Sequence, residues 1–117
     1  MSGITIFGIR NCDKVKKTLK WFEAQDIAFD FYDYKKKGVD GEVLQLLLDQ
    51  YGWSVVLNTR GTTWRKLSDD VKAGMDNENA ARLAEENPSI IKRPVVKKDH
   101  HFHVGYNEDG FRQLLSE

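Results

Sequence analysis

Cysteine is nearly absent from this sequence: Cys12 stands alone among 117 residues. A single thiol cannot close an internal disulfide or supply a multi-thiolate zinc site, and it fits a reducing, cytoplasmic compartment. An excess of one charge is lacking too. There are 18 Lys and Arg against 18 Asp and Glu, for a formal net charge of +0. Proteins that grip nucleic acid through its phosphates carry a basic excess, so direct nucleic-acid binding is not expected. Long apolar runs are missing as well. Leu46-Leu47-Leu48 falls far short of the about 20 residues that span a bilayer, so no membrane association is expected. The N-terminal residues lack the basic and apolar stretches of a secretory leader. No internal repeat, low-complexity segment or flexible linker interrupts the chain. What is present, 40% hydrophobic and 31% charged residues, suits one soluble domain with one core, and a monomer is the simplest assembly.

The hydrophobic pattern changes period along the chain. Residues 4–7 (ITIF) are β-branched and aromatic and predict a short buried strand. Gly8 and Asn11 mark a loop. Val15, Leu19 and Phe22 then recur at helical spacing, predicting a helix from Asp13 to about Gln25, with Asn11 as its cap. Residues 27–34 alternate apolar and polar as a strand does. Strand, helix and strand at this spacing form a βαβ unit with parallel strands. The lysines at 35–37 read as a solvated loop. Val43, Leu44, Leu47, Leu48 and Tyr51 form a second helical stripe ending near Gly52. A polar loop at 57–63 follows. Ser68 and Asp76 then open two short helices, the second running over about 77–86 until Asn87-Pro88 stops it. Val95-Val96, a turn at Asp99-His100 and a return strand over 101–104 predict a β-hairpin. Asn107 caps a final helix carrying Phe111, Leu114 and Leu115.

Cys12 falls between a strand end and a helix N-terminus. Free backbone N–H groups and the positive end of the helix dipole converge there and favour the thiolate. A thiol of pKa about 8.5 is about 3% ionised at pH 7, and one lowered to about 6.5 is about 75% ionised. Arg10 and Lys14 are near in sequence and add positive charge. A buried structural cysteine is the competing reading, but the placement favours a functional thiol. Val15 stands where a C-x-x-C motif would carry its second thiol. A covalent intermediate on Cys12 therefore needs an external thiol to resolve it, and glutathione is the obvious intracellular one. Arg60, in the polar loop, and Arg93, before Pro94, are the residues suited to bind its carboxylates. For Arg60 a plain surface charge is the competing reading. His101 and His103 share a strand face, yet nothing is placed to complete a metal site, and no metal is expected.

Asn11-Cys12, Thr59-Arg60-Gly61, Arg93-Pro94-Val95-Val96 and Val104-Gly105-Tyr106 occur in an order in which the chain resembles the ArsC/Spx family. Within that family it most resembles the YffB-type proteins, whose active-site string is similar to Asn11-Cys12-Asp13. The resemblance covers nearly the whole chain. It implies an α/β, thioredoxin-like domain over residues 1–117, with a mixed four-stranded sheet (βαβ…ββα) and a helical insertion at about 40–90. It also implies a cis Pro94 beside Cys12 and a cationic triad with Arg60 and Arg93 as two members. The third arginine of plasmid-type arsenate reductases maps to about Tyr106 here. The serine usual three residues after the nucleophile is Val15, which also removes the C-x-x-C switch of many Spx regulators.

The expected function is a glutathione-dependent thiol–disulfide reductase with a monothiol mechanism. Cys12 is the nucleophile, and Asn11, Lys14, Arg60, Arg93 and Pro94 form the substrate and glutathione site. Glutathione is a cosubstrate, with no tightly bound cofactor. The expected partners are glutathione, a small oxidised or anionic substrate, and glutaredoxin. Glutathione- and glutaredoxin-dependent arsenate reduction is the alternative enzyme reading, and a Spx-like regulator that binds RNA polymerase is the alternative from another class.

Overall fold

The computed structural model describes residues 3–116. It divides them into two units: one runs up to Lys37 and resumes at Arg93, and the other spans Gly38–Lys92. The first unit opens with strand β1 (Ile4–Gly8), helix α1 (Asp13–Ala24), strand β2 (Asp30–Asp33) and the short helix α2 (Tyr34–Lys37). Val15, Thr18 and Phe22 are the buried residues of α1. Thr18 meets the cost of burying its hydroxyl by donating to the Lys14 carbonyl at 2.7 Å. The second strand begins at Asp30, later than alternation alone predicts. The chain needs residues 26–29 to turn: Asp26 takes φ 55°, and the Ile27 N–H donates to the Phe22 carbonyl at 3.0 Å. The lysines at 35–37 are exposed, as expected, but helical rather than loop. Asp33 explains this, because its Oδ1 accepts from the N–H groups of Lys35 (3.0 Å) and Lys36 (3.3 Å) and so caps the turn.

The second unit is helical. Asp40 caps α3 (Gly41–Tyr51), accepting from the N–H groups of Glu42 and Val43. Leu44, Leu47 and Leu48 are its buried face. Gly52, at φ 81°, ends it and starts α4 (Trp53–Val56). Asn77 ties that junction, accepting from the Trp53 N–H at 3.0 Å and donating to the Leu48 carbonyl at 3.1 Å. The helices α5 (Thr62–Arg65), α6 (Asp69–Ala73) and α7 (Asn77–Glu86) follow. Ser68 and Asp76 cap the last two of these, as the sequence predicts. The buried Ala80 and Ala84 are small enough to let α7 pack close to α3. A 3₁₀ turn at Pro88–Ile90 closes the unit. Trp53 stacks on Trp64 with centroids 5.7 Å apart and planes 15° from parallel.

The first unit resumes with strands β3 (Val95–Lys98) and β4 (His101–Val104), then α8 (Glu108–Leu115), capped by Asn107. The sheet order is β2-β1-β3-β4. β1 runs parallel to β2 and antiparallel to β3, and β3 and β4 form the predicted hairpin, turning through Asp99 at φ 54°. The mixed four-stranded α/β sheet is the one expected. On one face Ile4, Ile6 and Val96 pack with Phe22 of α1 and with Phe111 and Leu114 of α8. The rings of Phe22 and Phe111 lie 5.4 Å apart. Burying each such ring stabilises the fold by about 1.5–3 kcal/mol. Among the described residues, no helix is long and apolar enough to cross a membrane.

Candidate active site

Strand pairing brings distant parts of the sequence to one end of the sheet. β1 ends at Gly8, which pairs with Asp33 at the end of β2. Phe7 pairs with Val95 at the start of the antiparallel β3. The segments that leave or enter these strand ends, Ile9 to Cys12, Tyr34, and Arg93-Pro94, are therefore neighbours. Gly8 sets the approach of the first. A Cβ there would sit 2.7 Å from Val15 Cγ2, so only glycine lets the first turn of α1 lie this close to the strand end.

Cys12 occupies the N-cap position itself, with extended backbone (φ −141°, ψ 125°), and its carbonyl accepts the first helical bond, from Lys16 N–H at 2.9 Å. This corrects the expectation that Asn11 caps α1. Asn11 lies one residue outside the helix and is exposed. The half-buried sulfur makes no hydrogen bond of full capping geometry. Even so, the backbone N–H groups of Val15 and Lys14 and the Arg93 guanidinium act on it. Burial pushes the Cys12 thiol up. The Val15 N–H, the hydrogen bond and charge of Arg93, and the Lys14 N–H push it down and prevail, so its pKa lies below the ordinary thiol value.

Arg93 is half-buried and joined to Pro94 by a cis peptide bond, the isomer the resemblance implies. Pro94 is buried, and its carbonyl accepts from Gly105 N–H at 2.7 Å. Arg93 also hydrogen-bonds Tyr34, which opens α2 and is 3% exposed. Burial raises the Tyr34 pKa far above the usual phenol range. Arg93 opposes that rise, whereas the charges of Cys12 and Asp33 add to it. Tyr34 therefore stays a neutral phenol.

The structure thus brings together Cys12, the Lys14 backbone and Arg93, with Pro94 following Arg93 across the cis bond. Lys14 acts through its N–H rather than through its exposed side chain. Arg10 does not act on the thiol, because its guanidinium lies over the Phe31 ring at 4.8 Å. Arg60 belongs to the helical unit, where it is exposed in a turn and its N–H donates to Asn58 Oδ1 at 3.2 Å. Tyr106 donates its hydroxyl to Glu108 Oε2 at 2.6 Å, and that bond raises its pKa. His103, on β4, is half-buried. It turns edge-on against Phe111 at 5.3 Å, in space left by the missing side chain of Gly110. Among the described residues, no group of three or more His, Cys, Asp or Glu could hold a metal ion. Tyr34 is the residue the sequence reading missed. Its only signal is an aromatic at the end of an alternating stretch, which equally suits plain packing.

The chain is similar to several known proteins. A protein of Haemophilus influenzae of unassigned function is 41% identical over 97% of this chain and 99% of its own length. A solved YffB protein is 39% identical, covers 96% of this chain and 98% of its own, and superposes with a TM-score of 0.90. An arsenate reductase (ArsC) related protein from Brucella melitensis is 40% identical over 100% of this chain and 97% of its own, with a TM-score of 0.78. Two more distant likenesses widen the frame. The global transcriptional regulator Spx of Staphylococcus epidermidis is 26% identical over 96% of this chain and 86% of its own length. The glutaredoxin of Archaeoglobus fulgidus, 16% identical over 100% of this chain and 89% of its own with a TM-score of 0.50, shares the thioredoxin-like fold alone. The ArsC family model matches residues 7–114, from the end of β1 to the last turn of α8, and the chain belongs to the ArsC family.

Proposed function

We propose that this protein is a cytoplasmic monothiol oxidoreductase that uses glutathione. One observation carries the reading: the lone thiol sits at the N-terminus of α1, where backbone N–H groups and Arg93 favour its ionised form. The Cys12 thiolate attacks one sulfur of a disulfide. A Cys12–sulfur bond forms, the substrate S–S bond breaks, and the departing thiolate takes a proton from water. With Val15 in place of a resolving thiol, a glutathione thiolate then attacks the substrate sulfur of the mixed disulfide. That step restores the Cys12 thiolate and leaves a glutathione mixed disulfide. Arg93 is suited to a carboxylate of glutathione or to an anionic substrate, since its planar fork matches carboxylate geometry. Asn11 and Pro94 join this reading because Asn11 precedes Cys12 and Pro94 follows Arg93 in the sequence. For Arg60 the support is the family likeness of Thr59-Arg60-Gly61.

Cys12→Ser should abolish glutathione-dependent turnover of a small mixed disulfide, and turnover retained in that variant would overturn the mechanism. Arsenate as substrate has weaker support, because Val15 and Tyr106 replace a hydroxyl and a guanidinium suited to an oxyanion. Arsenite formation in a coupled assay with glutathione and glutaredoxin would favour it. The likeness to Spx regulators favours one further reading, a protein that binds RNA polymerase. Specific polymerase recovery from lysate that survives Cys12→Ser would support binding over catalysis.

A further inference from the structure

We propose that Tyr34 is a positioning residue: its phenol oxygen holds the Arg93 guanidinium in the orientation that serves the Cys12 sulfur. The inference rests on the reading of Cys12 as a reactive thiol and adds to it a residue outside the expected site.

The topology places Tyr34 there. β2 ends beside β1 at the Asp33–Gly8 pair, and Tyr34 is the next residue. Asp33 fixes the turn that follows by accepting from the Lys35 and Lys36 N–H groups. The Tyr34 backbone is thereby locked at the strand end and its ring is buried, at 3% exposure. Arg93 reaches the same place from the start of β3. A guanidinium has five N–H donors in a rigid fork. Here that fork serves two acceptors, the Tyr34 oxygen and the Cys12 sulfur. A long, half-buried arginine side chain carries about 2 kcal/mol of rotamer entropy, and one acceptor alone leaves its planar fork free to rotate about that contact. A second acceptor on a buried ring at the strand end fixes the orientation of the fork. The groups acting on Tyr34 are Arg93, Cys12 and Asp33, and among the described residues the side chain that hydrogen-bonds the Cys12 sulfur is that of Arg93. The hydrogen-bonded link between Tyr34 and the thiol runs through Arg93, so Tyr34 is a positioning residue and not a catalytic one.

A double-mutant cycle on the full chain tests this. The probe is the rate of Cys12 alkylation by iodoacetamide against pH, in the wild type, Tyr34→Phe, Arg93→Ala and the double variant, with circular dichroism as a check on folding. Loss of the anchor should raise the alkylation midpoint of Tyr34→Phe by about 0.5–1 pH unit. In the Arg93→Ala background the same substitution should change nothing. An unmoved midpoint in Tyr34→Phe overturns the proposal, and so does an equal shift in both backgrounds, which would mean a merely structural role. A wild-type midpoint in the ordinary thiol range would instead overturn the reading of Cys12, a distinguishable result. If Tyr34→Phe fails to fold, Tyr34→Leu, which removes the phenol oxygen without adding bulk, is read in the same cycle.

Discussion

Tyr34 also makes the alkaline limb of stability a test of the site. A phenol whose folded pKa is raised keeps its proton after the unfolded chain has lost it. The native state then binds more protons than the unfolded state, and stability falls as pH rises past the ordinary phenol value of about 10. The stabilising term is present in full below that value and is lost upward through the raised one. The difference in unfolding free energy between the wild type and Tyr34→Phe should therefore narrow from pH 9 to pH 11, as followed by urea denaturation. A difference independent of pH would show that Tyr34 ionises in the folded state as it does in the unfolded one. The same residue shows where sequence reading stops. Cys12 is legible because a lone thiol after a strand and before a helix has few uses. Tyr34 is not, because an aromatic beside a strand is usually packing, and its link to Arg93 exists only once β2 and β3 flank β1.

Glycine decides how two elements meet where Gly8 faces Val15. Val15 is fully buried and stiff at χ1, so it cannot swing away from an added methyl 2.7 Å from its Cγ2. Gly8→Ala should lower unfolding free energy by about 1–3 kcal/mol in urea titration, the usual cost of overpacking. An effect within about 0.5 kcal/mol would mean that α1 shifts freely against β1. Most elements follow from local chemistry. Ser68, Asp76 and Asn107 are caps by residue type and position, and each accepts the bond expected of it. The failures are also local in kind. Asn11 has a better capping side chain than Cys12, yet α1 begins at Asp13 and puts Cys12, not Asn11, at the cap position. The lysines at 35–37 look like solvated loop until Asp33 is recognised as the cap of their turn.

The molecule assembles its sheet from both ends of the chain, with β1 and β2 from the start and β3 and β4 from the last quarter. β1 is paired along both edges, whereas β4 has a partner on one side only. The amides of β1 should exchange only through global unfolding, so their opening free energy by native-state hydrogen exchange should equal that from denaturant. Faster exchange in β1 than in β4 would contradict a sheet closed around β1. Net charge reads differently at this scale. A formal charge of +0 over the whole chain coexists with a guanidinium and a helix N-terminus directed at one thiol.

The sequence by itself determined the single thiol, the Val15 that stands where a second thiol of a C-x-x-C motif would be, and the order of strands and helices with most of their caps. These rest on residue identity and on periodicities of two and 3.6, which act over a few neighbours. Only the tertiary structure decided that Cys12, Tyr34 and Arg93 share a site, that Arg10 turns to Phe31, and that His103 packs on Phe111. Those contacts join residues on different elements or the loops that flank them. The shared position of Cys12, Tyr34 and Arg93 arises when parallel and antiparallel pairing bring three strand ends to one end of the sheet, and hydrophobic burial then fixes which face each neighbouring side chain takes.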